Sequence, residues 1–221
     1  YPNESSLLEQ TRAAVETIRA HRSDGRVTSL VIGALGRCGR GAIDCLEKSG
    51  FKADEIVRWD VQETSAKSGP YQEIANSDLF INCIYLSKKI PPFINRDLLA
   101  AAGSQRRLGM IVDVSCDTTN PNNPIPVYSV NTTFEKPTVR VDGVDNLEVI
   151  SIDHLPTLLP RESSEAFSHD LLPSLLQLPL IQGDDGPDAL AHDHAEGEGA
   201  VWARAEKLFR HHLAEAEKNG A

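Results

Sequence analysis

The sequence has few of the features that mark metal-binding, membrane and nucleic-acid-binding proteins. Its four cysteines form no C-x-x-C pair and show no spacing typical of zinc ligands, so we expect no metal site and a reducing, cytoplasmic environment. No apolar run approaches the length of a membrane span. Acidic residues outnumber basic ones by 32 to 22, and the net charge of −10 repels nucleic acid. The 40% hydrophobic and 24% charged content is instead typical of a soluble globular protein.

The N-terminal segment predicts a helix rather than a targeting signal. The chain of 221 residues begins at Tyr1 without a methionine, and its first residues are polar. We therefore expect no signal peptide, and an incomplete or trimmed chain. Within residues 1–22 the apolar side chains recur at near-helical spacing, which predicts a linking helix.

A glycine-rich turn is the most informative feature that the sequence does have. The apolar run Leu30–Ile32 leads into Gly33, Gly36 and Gly39, and apolar residues at helical spacing follow. Glycine lets such a turn bend sharply and approach a pyrophosphate, while free N–H groups at the helix N-terminus attract the anion. The spacing G-x-x-G-x-x-G is a variant of the common dinucleotide motif, and alone it also fits an ordinary glycine-rich turn.

An acidic residue after the next predicted strand strengthens the dinucleotide interpretation. Asp60 follows the strand Ile56–Trp59 and lies about 20 residues beyond the turn, where such sites place the carboxylate that binds the adenosine ribose. Its charge repels a 2′-phosphate, so we predict NAD as the cofactor. Arg37, within the turn, is predicted to contact the phosphates. Asp60 also fits an ordinary surface carboxylate at a strand end, and Arg37 also fits a solvated arginine.

Alternating strands and helices predict an α/β fold with a Rossmann-like, doubly wound parallel sheet over residues 23–156. The polar segment 61–71 predicts a loop where many such folds have another helix and strand, so this half of the sheet is expected to be short. Five strands are expected to end at one edge of the sheet. A doubly wound sheet binds its ligand at that edge.

Residues 157–221 differ in character and predict C-terminal helices of an incomplete second, catalytic domain. The run 182–199 is rich in glycine, aspartate and histidine and predicts a disordered insertion, in which His192 and His194 fit a solvated loop better than a metal site. The final helix, 200–218, is amphipathic. Its apolar face requires a cover, which we expect to be the missing upstream domain.

Four segments carry a specific resemblance. The stretches GALGRCGRGA, INCIYLSK, DVSCDTTNPNNPIP and ISIDHLPTLLPRESSEAFSHDLLP closely resemble saccharopine dehydrogenases of the NAD-dependent, lysine-forming kind. The resemblance covers about residues 1–180 and the last helix. It implies NAD-linked oxidation of the secondary amine of saccharopine to an imine, which hydrolyses to lysine and 2-oxoglutarate.

In that family a catalytic domain precedes the equivalent of Tyr1 and carries the acid–base lysine and histidine. The resemblance therefore implies that this chain alone has no catalytic residue and is inactive, and that the full-length protein is a monomer.

The glycine motif and the resemblance together imply roles for individual residues. The predicted cofactor contacts are Gly33, Gly36, Arg37, Gly39, Asp60, Thr64, Tyr85, Val114, Ile152, Asp153, His154 and Leu155. The predicted substrate contacts are Ser115, Cys116 and Asp117, although a residue smaller than cysteine is expected at 116. Asp117 and Asp153 also fit turn capping. His154 has the pKa of a general base, but its apolar neighbours favour a backbone contact.

Two alternatives stay open. The same glycines serve a non-catalytic NAD sensor or scaffold, although the polar substrate segment 115–126 favours an enzyme. Adjacent strands are also expected to bring Cys38 and Cys83 near the bridging range of about 4.4–6.8 Å between Cα atoms. Two unlinked thiols are the other interpretation, and the reducing environment favours it.

Overall fold

The computed structural model describes residues 1–116, 118–178 and 200–218, so Asp117 and the 182–199 run lie outside the described residues. Contacts between Cα atoms divide the chain into two compact units, Tyr1–Leu158 and Leu159–Ala221. The finer sequence-based bounds, with a separate linking segment 1–22 and a division after residue 156, stay predictions.

The first unit is an α/β unit built on a six-stranded sheet in the order β2-β1-β3-β4-β6-β5. Its strands are β1 Ser29–Ile32, β2 Ile56–Trp59, β3 Leu79–Asn82, β4 Met110–Asp113, β5 Val139–Arg140 and β6 Glu148–Ile150. All neighbouring pairs are parallel except β5 with β6. The predicted Rossmann-like fold is confirmed.

Strand β1 is buried on both faces, which explains its unbroken apolar sequence. Leu30 and Ile32 pack in a core cluster with Phe80, whereas Val31 points to the opposite face and packs with Leu46. Successive side chains of a strand alternate between faces, so every position of β1 meets a core. This central strand therefore holds the glycine turn that follows it in a fixed place.

The sheet is mixed, because its edge strand β5 runs antiparallel to β6. The connection Val141–Leu147 has no helix, and a parallel crossover needs a dozen or more residues. Gly143 and Asn146 adopt left-handed φ angles of 72° and 53°, which lets the chain reverse within this short segment. The remaining five strands run parallel and end at one edge, as predicted.

The helices of the first unit are α1 Glu4–His21, α2 Arg37–Lys48, α3 Val61–Ser65, α4 Gln72–Ala75 and α5 Arg96–Ala102. The prediction of a loop over 61–71 was wrong at its start, where α3 forms. Asp60 and Glu63 make a capping box: the Asp60 side chain accepts a hydrogen bond from the backbone N–H of Glu63, and the Glu63 side chain accepts one from the backbone N–H of Asp60. This local pairing stabilises a helix of five residues that apolar periodicity does not reveal.

The second unit contains α6 Pro160–Leu175 and α7 Ala200–Lys218 among its described residues. The indole Nε1 of Trp202 donates a hydrogen bond of 2.7 Å to the carbonyl of Ser174 and so joins the two helices. Large apolar side chains stay exposed on both, including Phe167 at 67% and Phe209 at 65%. None of the helices that the structure describes has the length and apolar character needed to span a membrane.

Candidate functional site

The strand order places a crevice at the carboxyl ends of β1 and β3. β1 connects to β2 on one side, and β3 connects to β4 on the other, so the direction of winding reverses between β1 and β3. Ligands of doubly wound sheets bind at this reversal point, outside the carboxyl ends of the strands. The predicted site residues follow β1, β2, β3, β4 and β6, whose ends share this edge.

Two glycines of the turn have no room for a side chain, one because of the segment after β3 and the other because of the turn's own backbone. Gly33 has a φ of +89°, and a Cβ there would lie 3.0 Å from the carbonyl oxygen of Cys83. A Cβ on Gly39 would lie 2.0 Å from the carbonyl oxygen of Gly33. Gly36 closes the turn by donating a backbone hydrogen bond of 3.0 Å to the same carbonyl. The motif therefore meets the steric demands that a dinucleotide turn makes.

The N-terminus of α2 presents unpaired donors beside the turn. Gly36 is the N-cap and has no side chain to cap the helix, so the first N–H groups of α2 have no partner within it. Such groups attract a phosphate. Arg37 is exposed, and its guanidinium makes no hydrogen bond or ion pair with any residue that the structure describes. Its side chain is therefore free to contact an anion.

Asp60 is bonded directly to the glycine turn. Its Oδ2 accepts a hydrogen bond of 2.9 Å from the N–H of Leu35, and its Oδ1 accepts one of 2.9 Å from Val61. A carboxylate has about four acceptor positions, so the side chain can still accept from a ribose hydroxyl. The Thr64 hydroxyl donates to the Asp60 carbonyl at 2.9 Å. The structure thus brings Asp60, Thr64 and the turn together.

An aromatic pair anchors the segment that follows Asp60. Trp59 and Tyr71 meet edge to face with ring centroids 5.2 Å apart, and the ammonium of Lys67 lies 4.7 Å from the Trp59 centroid. The Tyr71 hydroxyl donates to the Thr64 carbonyl at 2.9 Å. Burial raises the pKa of Tyr71, with a smaller effect from the charge of Glu73. This places a buried tryptophan directly beside the predicted ribose site.

A buried polar network, which sequence reasoning missed, lies at the ends of β3, β4 and β6. The Asp113 carboxylate accepts from the Asn82 amide at 2.9 Å, from the Ser115 N–H at 3.1 Å and from the Tyr128 hydroxyl at 2.6 Å. The Ser151 hydroxyl donates to Tyr128 at 3.1 Å. We call these five residues the carboxylate network. Asn82 and Asp113 end apolar runs, which is the only signal for them in the sequence.

The carboxylate network holds the predicted substrate turn. Ser115 donates through its Oγ to the Ile84 carbonyl at 2.7 Å, and the Cys116 thiol donates to the Asp113 carbonyl at 3.1 Å. Cys116 has a φ of +50°, a strained conformation for a residue other than glycine. Burial raises the pKa of the Cys116 thiol, and the charges of Asp113 and Asp153 raise it further against a lowering hydrogen bond with Ser151.

The segment after β6 contributes both buried and exposed groups. Ile152 is buried, and Asp153 and His154 are exposed, with 2.5 Å between Asp153 Oδ1 and His154 Nδ1. The ring of His154 meets Phe134 edge to face at 5.1 Å between centroids. Leu155 begins a short 3₁₀ turn. His154 therefore packs against an aromatic ring.

The two predicted cofactor contacts that follow β4 and β3, Val114 and Tyr85, differ in their exposure. Val114 is half-buried and donates its N–H to the Asn82 carbonyl at 2.9 Å, so it continues the pairing of β3 with β4. Tyr85 is 70% exposed beyond the end of β3. The cofactor and substrate roles of these residues stay predictions.

The four cysteines are free thiols. Burial raises the pKa of Cys83 to about 12, and the neighbouring charges of Cys38 and Asp113 contribute to this shift. Cys38 and Cys45 are exposed. The bridge between Cys38 and Cys83 stays a hypothesis.

One group of possible metal ligands occurs within the described residues. His211, His212 and Glu215 place ligand atoms within 4.8 Å of one another on the exposed surface of α7. All three side chains are exposed, and Glu215 lies 3.5 Å from His211 and 3.1 Å from His212. The other candidate, His192 with His194, lies outside the described residues.

No family model matches the chain. It is nevertheless similar to several known proteins. It is 51% identical over 99% of its length to a protein of Candida albicans, and 54% identical over 96% to one of Yarrowia lipolytica. A protein of Schizosaccharomyces pombe is 52% identical over 95% of the chain. All three are named saccharopine dehydrogenase [NAD(+), L-lysine-forming]. The chain spans 53% of the length of each of these relatives.

Proposed function

Because the chain is a homologue of NAD-dependent, lysine-forming saccharopine dehydrogenases over nearly its whole length, we propose that it is the nucleotide-binding part of such an enzyme. The observation that carries this proposal is the hydrogen bond between Asp60 and the glycine turn. It joins the residue predicted to bind the ribose to the turn predicted to bind the phosphates. In this function the chain is part of a longer, monomeric, cytoplasmic protein that acts on saccharopine in lysine synthesis.

The residues of the turn fit NAD by shape and by charge. A Cβ at Gly39 would lie 2.0 Å from the Gly33 carbonyl oxygen, so only glycine lets α2 pack this closely against the turn. The unpaired N–H groups of α2 and the free guanidinium of Arg37 supply donors to that anion. Asp60 accepts from the ribose hydroxyls. The nicotinamide of bound NAD would supply the hydride acceptor for the carbon next to the substrate nitrogen.

The edge formed by β3, β4 and β6 is proposed to hold saccharopine beside the nicotinamide. Ser115 and Asp117 bind its charged groups, with the Asp117 carboxylate suited to an ammonium group, and the segment Ile152–Leu155 lines the nicotinamide. Oxidation of the amine also needs a base for the proton, and hydrolysis of the imine needs an activated water. We propose that the acid and base lie in the upstream half, so that this chain binds NAD without turning over saccharopine.

The test compares the isolated chain with the full-length protein. NADH formation from saccharopine and NAD is expected only with the full-length protein, while both bind NAD. Appreciable turnover by the isolated chain would show that the base lies here, with His154 the first residue to substitute. If the full-length protein binds NAD but oxidises no saccharopine, the sensor or scaffold alternative replaces the enzyme.

A further inference from the structure

A deeply buried carboxylate lies where the predicted substrate turn begins. Asp113 is 1% exposed, and no lysine, arginine or histidine among the described residues pairs with it. Burying a carboxylate is costly unless hydrogen bonds satisfy it. Its two oxygens accept from Asn82, Ser115 and Tyr128, so three donors replace the water that the group loses.

These bonds join segments that are distant in the sequence. Asn82 ends β3, Asp113 ends β4, and Ser151 follows β6, while Tyr128 bridges Asp113 and Ser151. Asn82 also donates to the Ile84 carbonyl at 3.3 Å. A network with every member bonded holds its groups in one arrangement. The ends of three strands are therefore fixed relative to one another at the ligand edge.

The network determines what Ser115 can offer to a ligand. Its N–H donates to Asp113, and its hydroxyl proton is committed to the Ile84 carbonyl at 2.7 Å. A hydroxyl has one proton and two lone pairs. One lone pair accepts a hydrogen bond of 3.4 Å from the Asn82 amide, so Ser115 Oγ keeps one lone pair with which it can accept from a ligand rather than donate to it. A protonated amino group, which can only donate hydrogen bonds, matches such an acceptor.

We propose that Asp113 is a positioning residue, which fixes Ser115 as the hydrogen-bond acceptor for a protonated amino group of the substrate. This inference rests on the proposed function and names the part of saccharopine that Ser115 binds. Asp113 itself does not contact the substrate. Its effect on substrate affinity therefore passes through Ser115.

A double-mutant cycle in the full-length protein tests this coupling. Ser115→Ala and Asp113→Leu are each expected to raise KM for saccharopine about tenfold, with the Kd for NAD changed less than about twofold. The double variant is expected to match Ser115→Ala alone, because Asp113 acts only through that hydroxyl. Asp113→Leu has a similar size but no acceptor, whereas Asp113→Asn keeps an oxygen acceptor for Asn82 and Ser115 and is expected to retain most of the saccharopine affinity.

Two further variants separate positioning from stability. Tyr128→Phe removes one donor to Asp113 and is expected to raise KM for saccharopine more than it changes kcat. Thr28→Val removes a 3.0 Å hydrogen bond to Asp78 beside the opposite end of the sheet, and it is expected to lower the melting temperature without raising KM. The proposal would be overturned if the KM effects of Ser115→Ala and Asp113→Leu multiply in the double variant, or if NAD and saccharopine affinity fall equally. Absence of saccharopine turnover in the unmodified protein would overturn the proposed function with it.

Discussion

The carboxylate of Asp60 accepts a hydrogen bond from the backbone of Leu35, across the gap between the ends of β2 and β1. The group predicted to select the cofactor is thus also a structural part of the turn predicted to hold the phosphates. A change at Asp60 therefore alters both charge and geometry. Variants that keep the acceptor but remove the charge can separate these effects.

Asp60→Asn is expected to narrow the preference for NAD over NADP about tenfold, or about 1.4 kcal/mol. The amide oxygen can still accept from Leu35, while the repulsion of a 2′-phosphate is lost. Asp60→Ala is expected to weaken NAD binding as well, since it removes the acceptor. Quenching of Trp59 fluorescence measures both affinities, and Trp202→Phe removes the second tryptophan signal.

Asp54→Asn is the matched control, because Asp54 is an exposed carboxylate beside the opposite end of β2 and pairs with Arg26. It is expected to leave the ratio of NAD to NADP affinity unchanged. Equal affinity of the unmodified protein for both cofactors would refute the role of Asp60.

Gly39→Ala is expected to weaken NAD binding and to destabilise the protein by about 1–3 kcal/mol. Its methyl group would lie 2.0 Å from the Gly33 carbonyl oxygen, and backbone atoms cannot yield as a flexible side chain does. Gly41→Ala is the control in the same helix, where nothing lies within 4 Å of the added Cβ. It is expected to stabilise the protein by about 0.5–1 kcal/mol, as Gly→Ala does in a helix.

Urea unfolding and NAD titration of the two alanine variants check this pair. Similar stability and NAD affinity for Gly39→Ala and Gly41→Ala would show that the turn adjusts to a side chain.

Cys83 is expected to react with iodoacetamide far more slowly than Cys38 and Cys45 at pH 8. Burial raises its pKa to about 12, so almost none of it is thiolate at that pH, and the thiolate is the reactive form. Peptide mass spectrometry of timed samples measures each site. Labelling of Cys83 as fast as Cys38 would contradict its burial. Mild oxidation that links Cys38 to Cys83 would instead support the bridge hypothesis.

Glu55 is expected to make stability depend on pH. The hydrogen bond from Lys52 N–H and the ion pair with Arg19 at 2.7 Å outweigh the effect of burial, which is the largest single influence, and lower its pKa. A lowered pKa gives stability that is present above the unfolded value of about 4.3 and is lost as pH falls through the folded pKa. Glu55→Gln is expected to reduce the fall in unfolding free energy below pH 4.5.

Urea unfolding between pH 7 and pH 3 checks this expectation. Glu9→Gln, an exposed change on α1, serves as the control and is expected to retain the dependence of the unmodified protein. An unchanged slope in Glu55→Gln would assign the acid sensitivity to other carboxylates.

Sequence patterns predicted the sheet and the long helices because both depend on local apolar periodicity. The strand Ile56–Trp59 and the helix 200–218 have the bounds predicted for them. The helix α3 was missed because a capping box, rather than an apolar face, stabilises it. The antiparallel direction of β5 depends on the length of one short connection.

The candidate site was predictable only where a motif fixes the backbone. Glycine spacing located the turn, and distance along the chain located Asp60. The carboxylate network was not predictable, because Asp113 and Tyr128 meet only after β3, β4 and β6 have aligned. Partners of a buried carboxylate depend on tertiary structure, and a sequence pattern of period two or 3.6 does not encode them.

Both outer strands of the sheet are short and carry an arginine, Arg58 on β2 and Arg140 on β5. An unpaired strand edge is a template for edge-to-edge aggregation, and short length and charge both oppose such pairing. The sheet is therefore a poor starting point for aggregation of the separated chain. Aggregation is instead expected to begin at the exposed apolar side chains of α6 and α7, among them Phe167 and Phe209.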